Sequence, residues 1–191
     1  MLIDPQSLEV TTVYKLMSNT IFPRPIAWIS TEGEKGVNLA PFSYFIPVSS
    51  EPPCVMVSIG PNEEGGLKDT AKNILLHGKA TISLADDRKA GLIEATAEAL
   101  AYGESEAQKY GIAMTKTADG YPPRVDDAKA ALLCSLHQEV SLIGSEQNIL
   151  FLKIDAFYYA DEVIDERYNV KLENIGRVGR DYLVDAKRMK V

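Results

Sequence analysis

The sequence predicts a mainly β protein, a β-barrel or sandwich with helices inserted between its strands. Short segments rich in β-branched, aromatic and apolar residues recur along the chain, and polar turns separate them. The first three of these segments follow each other through short turns, which argues against a doubly wound parallel sheet. A β-barrel with appended helices is therefore the predicted architecture.

The first two strands and the turn between them form a predicted hairpin. Residues 25–31 (PIAWIST) and 37–45 (VNLAPFSYF) carry the strand pattern, and the polar EGEKG lies between them. Pro53–Ile59 (PCVMVSI) is the third predicted strand. Pro41 interrupts the second strand and, because proline cannot donate to a ladder, it marks an edge or a bulge. Neighbouring peptide groups are then free to face a ligand.

A helix and a strand are predicted next. Residues 67–78 (LKDTAKNILLHG) have apolar side chains at helical spacing, and Gly78 supplies a C-terminal stop. Residues 80–84 (ATISL) have the pattern of a strand.

The middle of the chain predicts two further helices and a loop. A helix is predicted over residues 86–102, with Asp86 or Asp87 as its N-cap. Ser105 caps a short helix in SEAQKYG, and residues 112–127 are predicted to form an irregular loop.

Two long strands, 131–143 and 149–159, are predicted around GSEQN, with a short strand at Val163. The tail NIGRVGRDYLV is rich in Gly and Arg and short of apolar periodicity. Because the chain shows no repeat, low-complexity tract or linker, residues 1–191 are predicted to be a single domain.

Composition narrows the classes of function. The 191 residues are 46% hydrophobic and 25% charged, with a formal net charge of −7. This charge argues against nucleic acid as a partner, because phosphate neutralisation needs a face rich in Lys and Arg. MLIDPQSLEV lacks the apolar region of a signal peptide, and no stretch approaches a membrane span of about 18 apolar residues. We therefore expect a cytoplasmic protein with no membrane partner.

Several common catalytic motifs are absent from the sequence: GxSxG, HExxH, CxxC, GxxxxGK[ST] and GxGxxG. Cys54 and Cys134 lie in apolar runs and are predicted to be small buried hydrophobes. The only histidines are His77 and His137, and no paired acidic spacing accompanies them, so no metal site is predicted.

Polar groups that suit an anion gather in the first half of the chain. Lys68, Asp69 and Thr70 open a helix after a glycine pair, where exposed N–H groups, a lysine and a hydroxyl can converge on a phosphate. An ordinary capped helix start is the alternative. Residues 38–43 (NLAPFS) offer a surface on which a flat ring such as an isoalloxazine can lie. The anion-friendly set is Arg24, Ser30, Thr31, Asn38, Ser43, Ser58, Lys68 and Thr70.

Six segments, in this order, resemble the flavin reductase-like family, the FMN-binding split-barrel proteins. They are FPRPIAWIST, GVNLAPFSYFIPVSSEPPCVMVSIG, GLKDTAKNI, AYGESEAQKYGI, YPPRVDDAKAALLC and NIGRVGRDY. The resemblance spans residues 20–182. Two positions depart from the family pattern: Leu133 replaces a glutamate before Cys134, and Arg180 replaces the usual second glycine of the terminal signature.

The resemblance implies an FMN-binding split barrel that acts as an NAD(P)H-dependent flavin reductase, with NADH or NADPH as hydride donor. Reducing equivalents would pass to an acceptor or a monooxygenase. The alternatives are an FMN-binding electron-transfer protein without NAD(P)H activity and a split barrel that has lost its flavin. Family members are typically homodimers with each flavin near the subunit interface.

The resemblance also implies roles for particular residues. None of them is catalytic, because hydride transfer to a flavin needs no side-chain nucleophile. Phosphate and ribityl contacts are implied for Arg24, Ser43, Lys68 and Thr70, and ring contacts for Asn38, Leu39, Ala40 and Pro41. Ser58 is added to this cofactor-binding set. Arg177 and Tyr182 are implied to reach the flavin of a partner chain, with a surface salt bridge as the alternative for Arg177. His137 is a candidate for the nicotinamide side, with a structural role as the alternative, and Trp28 is predicted to be core.

Overall fold

The computed structural model describes residues 1–33 and 36–184. The α-helices are α1 (Val10–Thr20), α2 (Asp69–His77), α3 (Ala90–Ala95) and α4 (Glu106–Lys109). The strands are β1 (Arg24–Pro25), β2 (Ala27–Gly33), β3 (Gly36–Phe42), β4 (Phe45–Ser50), β5 (Pro53–Ile59), β6 (Lys79–Leu84), β7 (Met114–Thr115), β8 (Arg124–Val125), β9 (Ala130–Ser141), β10 (Asn148–Tyr159), β11 (Gly176–Val178) and β12 (Asp181–Leu183). Short 3₁₀ helices lie at Pro5–Ser7, Asp87–Lys89 and Asp161–Val163.

A seven-stranded antiparallel sheet, in the order β3-β2-β6-β9-β10-β5-β4, forms the body of the protein. Its two edge strands, β3 and β4, are consecutive in the chain, and β3 also contacts β5. The sheet therefore curls back on itself and stays open at one seam, so the predicted β-barrel with appended helices is confirmed.

Strand β2 separates two hydrophobic cores. Ala27 and Ile29 belong to the cluster inside the barrel, whereas Trp28 belongs to a cluster on the outer face. Successive side chains of a strand point to opposite faces, which places the two clusters back to back. Trp28 is 1% exposed, and its indole Nε1–H donates to the Thr96 hydroxyl at 2.9 Å. The prediction of Trp28 as core is confirmed.

Helix α2 packs on the barrel and agrees with its prediction. Ala71 and Ile74 are fully buried in the inner cluster, and the helix lies against β2. It ends at Gly78, which adopts a left-handed conformation with φ of 68°. A residue without Cβ adopts this conformation at little cost, which explains the stop.

The helix predicted over residues 86–102 is wrong beyond residue 95. Asp86 caps as predicted, since its side chain accepts from the Arg88 amide, but regular helix ends at Ala95. The Thr96 hydroxyl is held between the buried indole of Trp28 and the Ile93 carbonyl, at 2.9 and 3.2 Å. This anchor fixes the chain at the point where it leaves the helix.

Other differences from the predictions are local. Residues 45–50 form a strand, β4, that was not predicted. Only Phe45 of this strand is buried, so the segment does not show the alternation of apolar and polar residues by which a half-buried strand is recognised. Val163 lies in a 3₁₀ helix and not in a strand. Helix α1 was not predicted, and the loop at 112–127 contains the small β7–β8 ladder. Part of the predicted EGEKG turn, residues 34–35, lies outside the described residues.

Three smaller predictions are confirmed, at Pro41, at the two cysteines and at Ser105. Pro41 lies on the edge strand β3, in a ladder with β2 that has no register shift, so it marks an edge and not a bulge. Cys54 and Cys134 are free and buried. Ser105 caps α4 by accepting from the Gln108 amide. None of the helices within residues 1–33 and 36–184 is long and apolar enough to cross a membrane.

The chain's tail forms a three-stranded sheet with β1, in the order β1-β11-β12. Gly176 pairs with Pro25 at the start of β11. A Cβ atom at position 176 would lie 2.8 Å from Pro23 Cβ and 3.5 Å from the Arg24 carbonyl oxygen. The two segments approach this closely because residue 176 has no side chain.

Gly176→Ala should lower the free energy of unfolding by about 1–2 kcal/mol, because the added methyl group must push two backbone segments apart. Gly91→Ala is the matched control. Gly91 lies in α3, and apart from its chain neighbours and the backbone of its own helix no atom lies within 4 Å of the place that a methyl group would take. Alanine there should therefore be neutral or stabilise the helix by about 0.5–1 kcal/mol. Urea unfolding of both variants measures the difference, and equal effects would contradict the packing at residue 176.

Candidate functional site

A cavity of about 530 Å³ opens beside the edge strand β3, and we call it the Lys68 cleft. Its lining consists of Asn38 and residues 40–42, 61–64, 68–70, 96–102 and 106. The cleft thus lies between the barrel's edge, the start of α2 and the chain that follows α3. Ligand pockets commonly measure about 300–1,000 Å³, so its volume suits a cofactor.

The start of α2 gives the cleft an anion-friendly end. Lys68 is the N-cap residue and makes no side-chain capping bond, which leaves first-turn N–H groups without a side-chain partner. Among the described residues its ammonium group forms no ion pair. The Thr70 hydroxyl accepts from Asn38 Nδ2 at 2.8 Å and keeps its own proton to donate. The carboxylate of Asp69, in the same turn, would repel an anion and so weaken its binding.

The edge of β3 offers fewer backbone donors than the sequence predicted. The Leu39 amide donates to Glu106 Oε2 at 2.8 Å, so it points away from β2. Alternation along the strand places the nitrogen of Pro41 on the same outward side, and proline has no N–H. Of the peptide groups expected to be free around Pro41, the Leu39 amide is therefore already bonded within the protein. A ring bound there would rest on the surface of Ala40, Pro41 and Phe42.

Glu106 is the acidic group that closes this edge. The residue is 5% exposed, although it lines the cleft. Burial raises the pKa of its carboxyl group, the Leu39 N–H acts in the opposite direction, and the nearby charge of Asp69 raises it further. Glu106 was not predicted as a site residue. The signal available was its place directly after the Ser105 cap, within the segment AYGESEAQKYGI.

Five predicted cofactor residues line the cleft: Asn38, Ala40, Pro41, Lys68 and Thr70. Leu39 contributes its backbone amide to the edge, whereas its side chain is fully buried in the outer cluster. A larger cavity of about 780 Å³, beside Trp28 and Lys171, contains none of the predicted cofactor residues.

Arg24 and Ser43 lie away from the cleft lining. The Arg24 guanidinium is buried and donates to the carbonyls of Ser18 at 2.6 Å and Gly179 at 3.4 Å. Its Nε reaches the Ser43 hydroxyl at 3.5 Å. In this chain Arg24 joins the end of α1, the barrel and the tail.

The remaining predicted residues also lie outside the cleft lining. The Ser58 hydroxyl donates to Gln147 Oε1 at 3.1 Å. Arg177 and Tyr182 both donate to Glu94 Oε2, at 2.9 and 2.7 Å, as the salt-bridge alternative for Arg177 predicts. His137 is exposed, at a register shift of β9. Within the described ranges, no cluster of three His, Cys, Asp or Glu side chains suits a metal ion.

Residues 17–177 match the family described as flavin reductase like domain. The chain belongs to this family. Among curated relatives, this flavin reductase-like protein is 37% identical over 183 residues to an uncharacterized protein of Deinococcus radiodurans, with 93% of this chain and 80% of the relative covered. An uncharacterized protein of Aquifex aeolicus is 32% identical over 179 residues, covering 92% and 90% of the two chains.

Solved structures agree with the family and the fold. Nitrilotriacetate monooxygenase component B from Bacillus cereus aligns with a TM-score of 0.93 at 26% identity, covering 100% of this flavin reductase-like chain and 98% of the other. Pseudomonas fluorescens 2-nitrobenzoate 2-nitroreductase gives 0.88 at 26%, with 100% and 95% covered. A Shewanella frigidimarina chain with a split barrel domain gives 0.85 at 20%, with 100% and 98% covered, and supports the split-barrel fold.

The tail of this flavin reductase-like protein should loosen in acid. Hydrogen bonds from Arg177 and then Tyr182 hold the pKa of the Glu94 carboxyl below its usual value. A lowered folded-state pKa stabilises the fold above the unfolded pKa, and that stability is lost as pH falls through the folded pKa. The melting temperature of Glu94→Gln should therefore lie below that of the wild type near neutral pH and converge with it below about pH 4. Glu166→Gln, which alters an exposed carboxylate, is the control, and a gap that persists in acid would contradict the Glu94 contact.

Proposed function

We propose that this protein is an FMN-dependent oxidoreductase that binds FMN in the Lys68 cleft and accepts hydride from NADH or NADPH. The observation that carries this proposal is the convergence of Asn38, Ala40, Pro41, Lys68 and Thr70 on one cleft. The sequence resemblance assigned all five to the cofactor, although they come from segments separated by a strand pair and a loop. Membership of the flavin reductase like domain family supports the same activity.

The chain's own groups suit a phosphorylated, tricyclic ligand. Lys68 and the first N–H groups of α2 would hold the phosphate, and the Thr70 hydroxyl would donate to it or to the ribityl chain. The apolar surface of Ala40, Pro41 and Phe42 would support the ring and exclude water from one of its faces. Bound flavin supplies the hydride-accepting chemistry, so the protein needs only to bind and orient.

A monooxygenase is the proposed recipient of the reducing equivalents. The Bacillus cereus protein that this chain resembles is described as a monooxygenase component B, which supports the proposal. The cytoplasmic location stays a prediction.

We also propose a homodimer, with one copy covering α1 and β4 of the other. Ser18 is the only buried residue of α1, although Val10, Tyr14 and Met17 are apolar or aromatic and exposed. An isolated helix of this length is only marginally stable in water, so a packing partner would stabilise it. Light scattering coupled to size exclusion tests the assembly. A monomeric mass throughout the micromolar range would contradict it.

The visible spectrum of the purified protein tests the proposed function. The protein is incubated with FMN, desalted and mixed without oxygen with NADH or NADPH. We expect the flavin absorption band at about 450 nm to be lost with either nucleotide. The control is free FMN mixed with the same nucleotide without the protein. A bound flavin that neither nucleotide reduces would leave the electron-transfer alternative. A protein that takes up no FMN by equilibrium titration would remove both functions.

A further inference from the structure

Glu106 is a buried carboxylate in the wall of the cleft, and the proposed hydride chemistry does not use it. Its Oε2 accepts the Leu39 amide proton at 2.8 Å, and the residue is 5% exposed. Charged groups of this kind are seldom buried without a cationic partner. Among the described residues Glu106 forms no ion pair. Its surroundings therefore decide how readily the carboxyl group keeps its charge.

The groups facing Glu106 are mostly acidic. From α2, Asp69 acts on it through its charge, and Lys68 supplies the nearby cation. From the loop at 61–64, Glu63 and Glu64 line the same cleft. Strand β3 contributes the uncharged Asn38 and the Leu39 amide.

The two remaining walls add little positive charge. From the chain after α3, Glu98 accepts from Lys109 of α4 at 2.7 Å and from the Tyr110 hydroxyl, so the Lys109 charge is already paired. Lys72 of α2 lies 3.5 Å from the centre of the Tyr102 ring, over its face. Among the described residues, the lining of the cleft therefore contains a buried carboxylate, several more exposed carboxylates and one lysine, Lys68.

We propose that Glu106 couples the binding of an anionic ligand in the Lys68 cleft to the uptake of one proton by its own carboxylate. This inference rests on the proposed binding of FMN in the cleft. The step is an acid–base reaction, in which Glu106 carboxylate and a solvent proton give the neutral carboxylic acid when the ligand's phosphate arrives.

The physical reason is repulsion between like charges in a partly buried site. A phosphate monoester brings between one and two further negative charges to a cleft where burial and Asp69 already disfavour the ionised carboxylate. Protonation removes the repulsion at Glu106. The neutral acid keeps a carbonyl oxygen that accepts from Leu39 N–H, so the edge of β3 stays closed.

Linkage gives the direction of the pH dependence. A group that is more protonated in the complex than in the free protein makes binding tighter at low pH and weaker as pH rises. A coupling of one pKa unit corresponds to a tenfold change in affinity. We therefore expect the FMN affinity of the wild type to fall by about tenfold more than that of Glu106→Gln as pH rises from about 5 to 8.

Glu106→Gln separates charge from structure, because its amide oxygen still accepts the Leu39 N–H bond. Glu104→Gln is the matched control, since Glu104 is an exposed carboxylate two residues away and outside the cleft lining. The phosphate of FMN itself titrates at about pH 6. The informative quantity is therefore the difference between variants in the pH dependence of FMN affinity. Circular dichroism and thermal melting show whether each variant folds.

The experiment is calorimetric titration with FMN in two buffers of different ionisation enthalpy, which counts protons bound per FMN. The wild type and Glu104→Gln should take up more protons than Glu106→Gln. Equal uptake by all three, with FMN bound, would overturn this inference and leave the proposed function intact. Failure of the wild type to bind FMN would overturn both.

Carbon-13 NMR of the Glu106 carboxyl group gives a second measurement on the wild type alone. Its titration midpoint should rise when FMN is added. A midpoint that FMN does not move would overturn the inference even where Glu106→Gln fails to fold.

Discussion

Lys68→Ala should weaken FMN binding by about 1–3 kcal/mol, which corresponds to about 5- to 150-fold in affinity. Lys68 is the one lysine in the described lining of the cleft, and it lies at the start of α2 with no ion pair among the described residues. A phosphate that loses this ammonium group keeps only the N–H groups of the helix start and the Thr70 hydroxyl. Fluorescence titration with FMN measures the loss.

The control for Lys68 is Lys116→Ala. Lys116 is exposed, lies outside the cleft lining and pairs with Asp119 at 2.7 Å, so its loss should leave FMN affinity unchanged. Riboflavin adds a second comparison, because it lacks the phosphate and should lose little affinity in Lys68→Ala. If Lys68→Ala binds FMN as tightly as the wild type, the phosphate does not bind at the start of α2.

Arg24→Ala should lower the free energy of unfolding by about 3 kcal/mol, the second large effect that we expect. Arg24 is 6% exposed, and removing its guanidinium takes one donor from each of the carbonyls of Ser18 and Gly179. The Ser18 carbonyl would keep only the bond from the Gly179 amide, at 2.9 Å. Three parts of the chain meet at this group: the end of α1, strand β1 and the tail. Urea unfolding followed by circular dichroism measures the change.

Arg180→Ala is the matched control for Arg24, because Arg180 is an exposed arginine on the same tail and should change the stability by less than about 0.5 kcal/mol. FMN affinity of the folded Arg24→Ala protein separates the two roles given to this residue. The structure favours a small change, since Arg24 does not line the cleft. A large loss of affinity with unchanged stability would restore the role implied by the resemblance, with the flavin reached from a partner chain.

Local patterns explain why some elements were predictable. Pro53–Ile59 agrees at both ends because it is a short run of β-branched and apolar residues, which alternate between buried and half-buried positions from Val55 onward. Helix α2 agrees because Gly78 is a stop that acts through its own backbone. In both segments the physical cause lies within a few residues of the effect.

Contacts between distant segments explain the failures. The partners of Arg24 and Glu106 stand 155 and 67 residues away along the chain, at Gly179 and Leu39. The end of α3 depends on Thr96, whose hydroxyl accepts a hydrogen bond from the indole of Trp28, 68 residues earlier in the chain. A single sequence contains no local signal for these pairs. The hydrogen bonds of Arg24 to Ser18 and Gly179, and the bond from the Leu39 amide to Glu106, are therefore visible only in the folded chain.

The position of the flavin is the claim on which the account depends. A crystal structure of the protein grown with FMN measures it most directly. We expect the phosphate to lie against Lys68 and Thr70, with the ring over Ala40, Pro41 and Phe42. FMN in the larger cavity beside Trp28, or a Lys68 cleft filled by protein side chains, would contradict it.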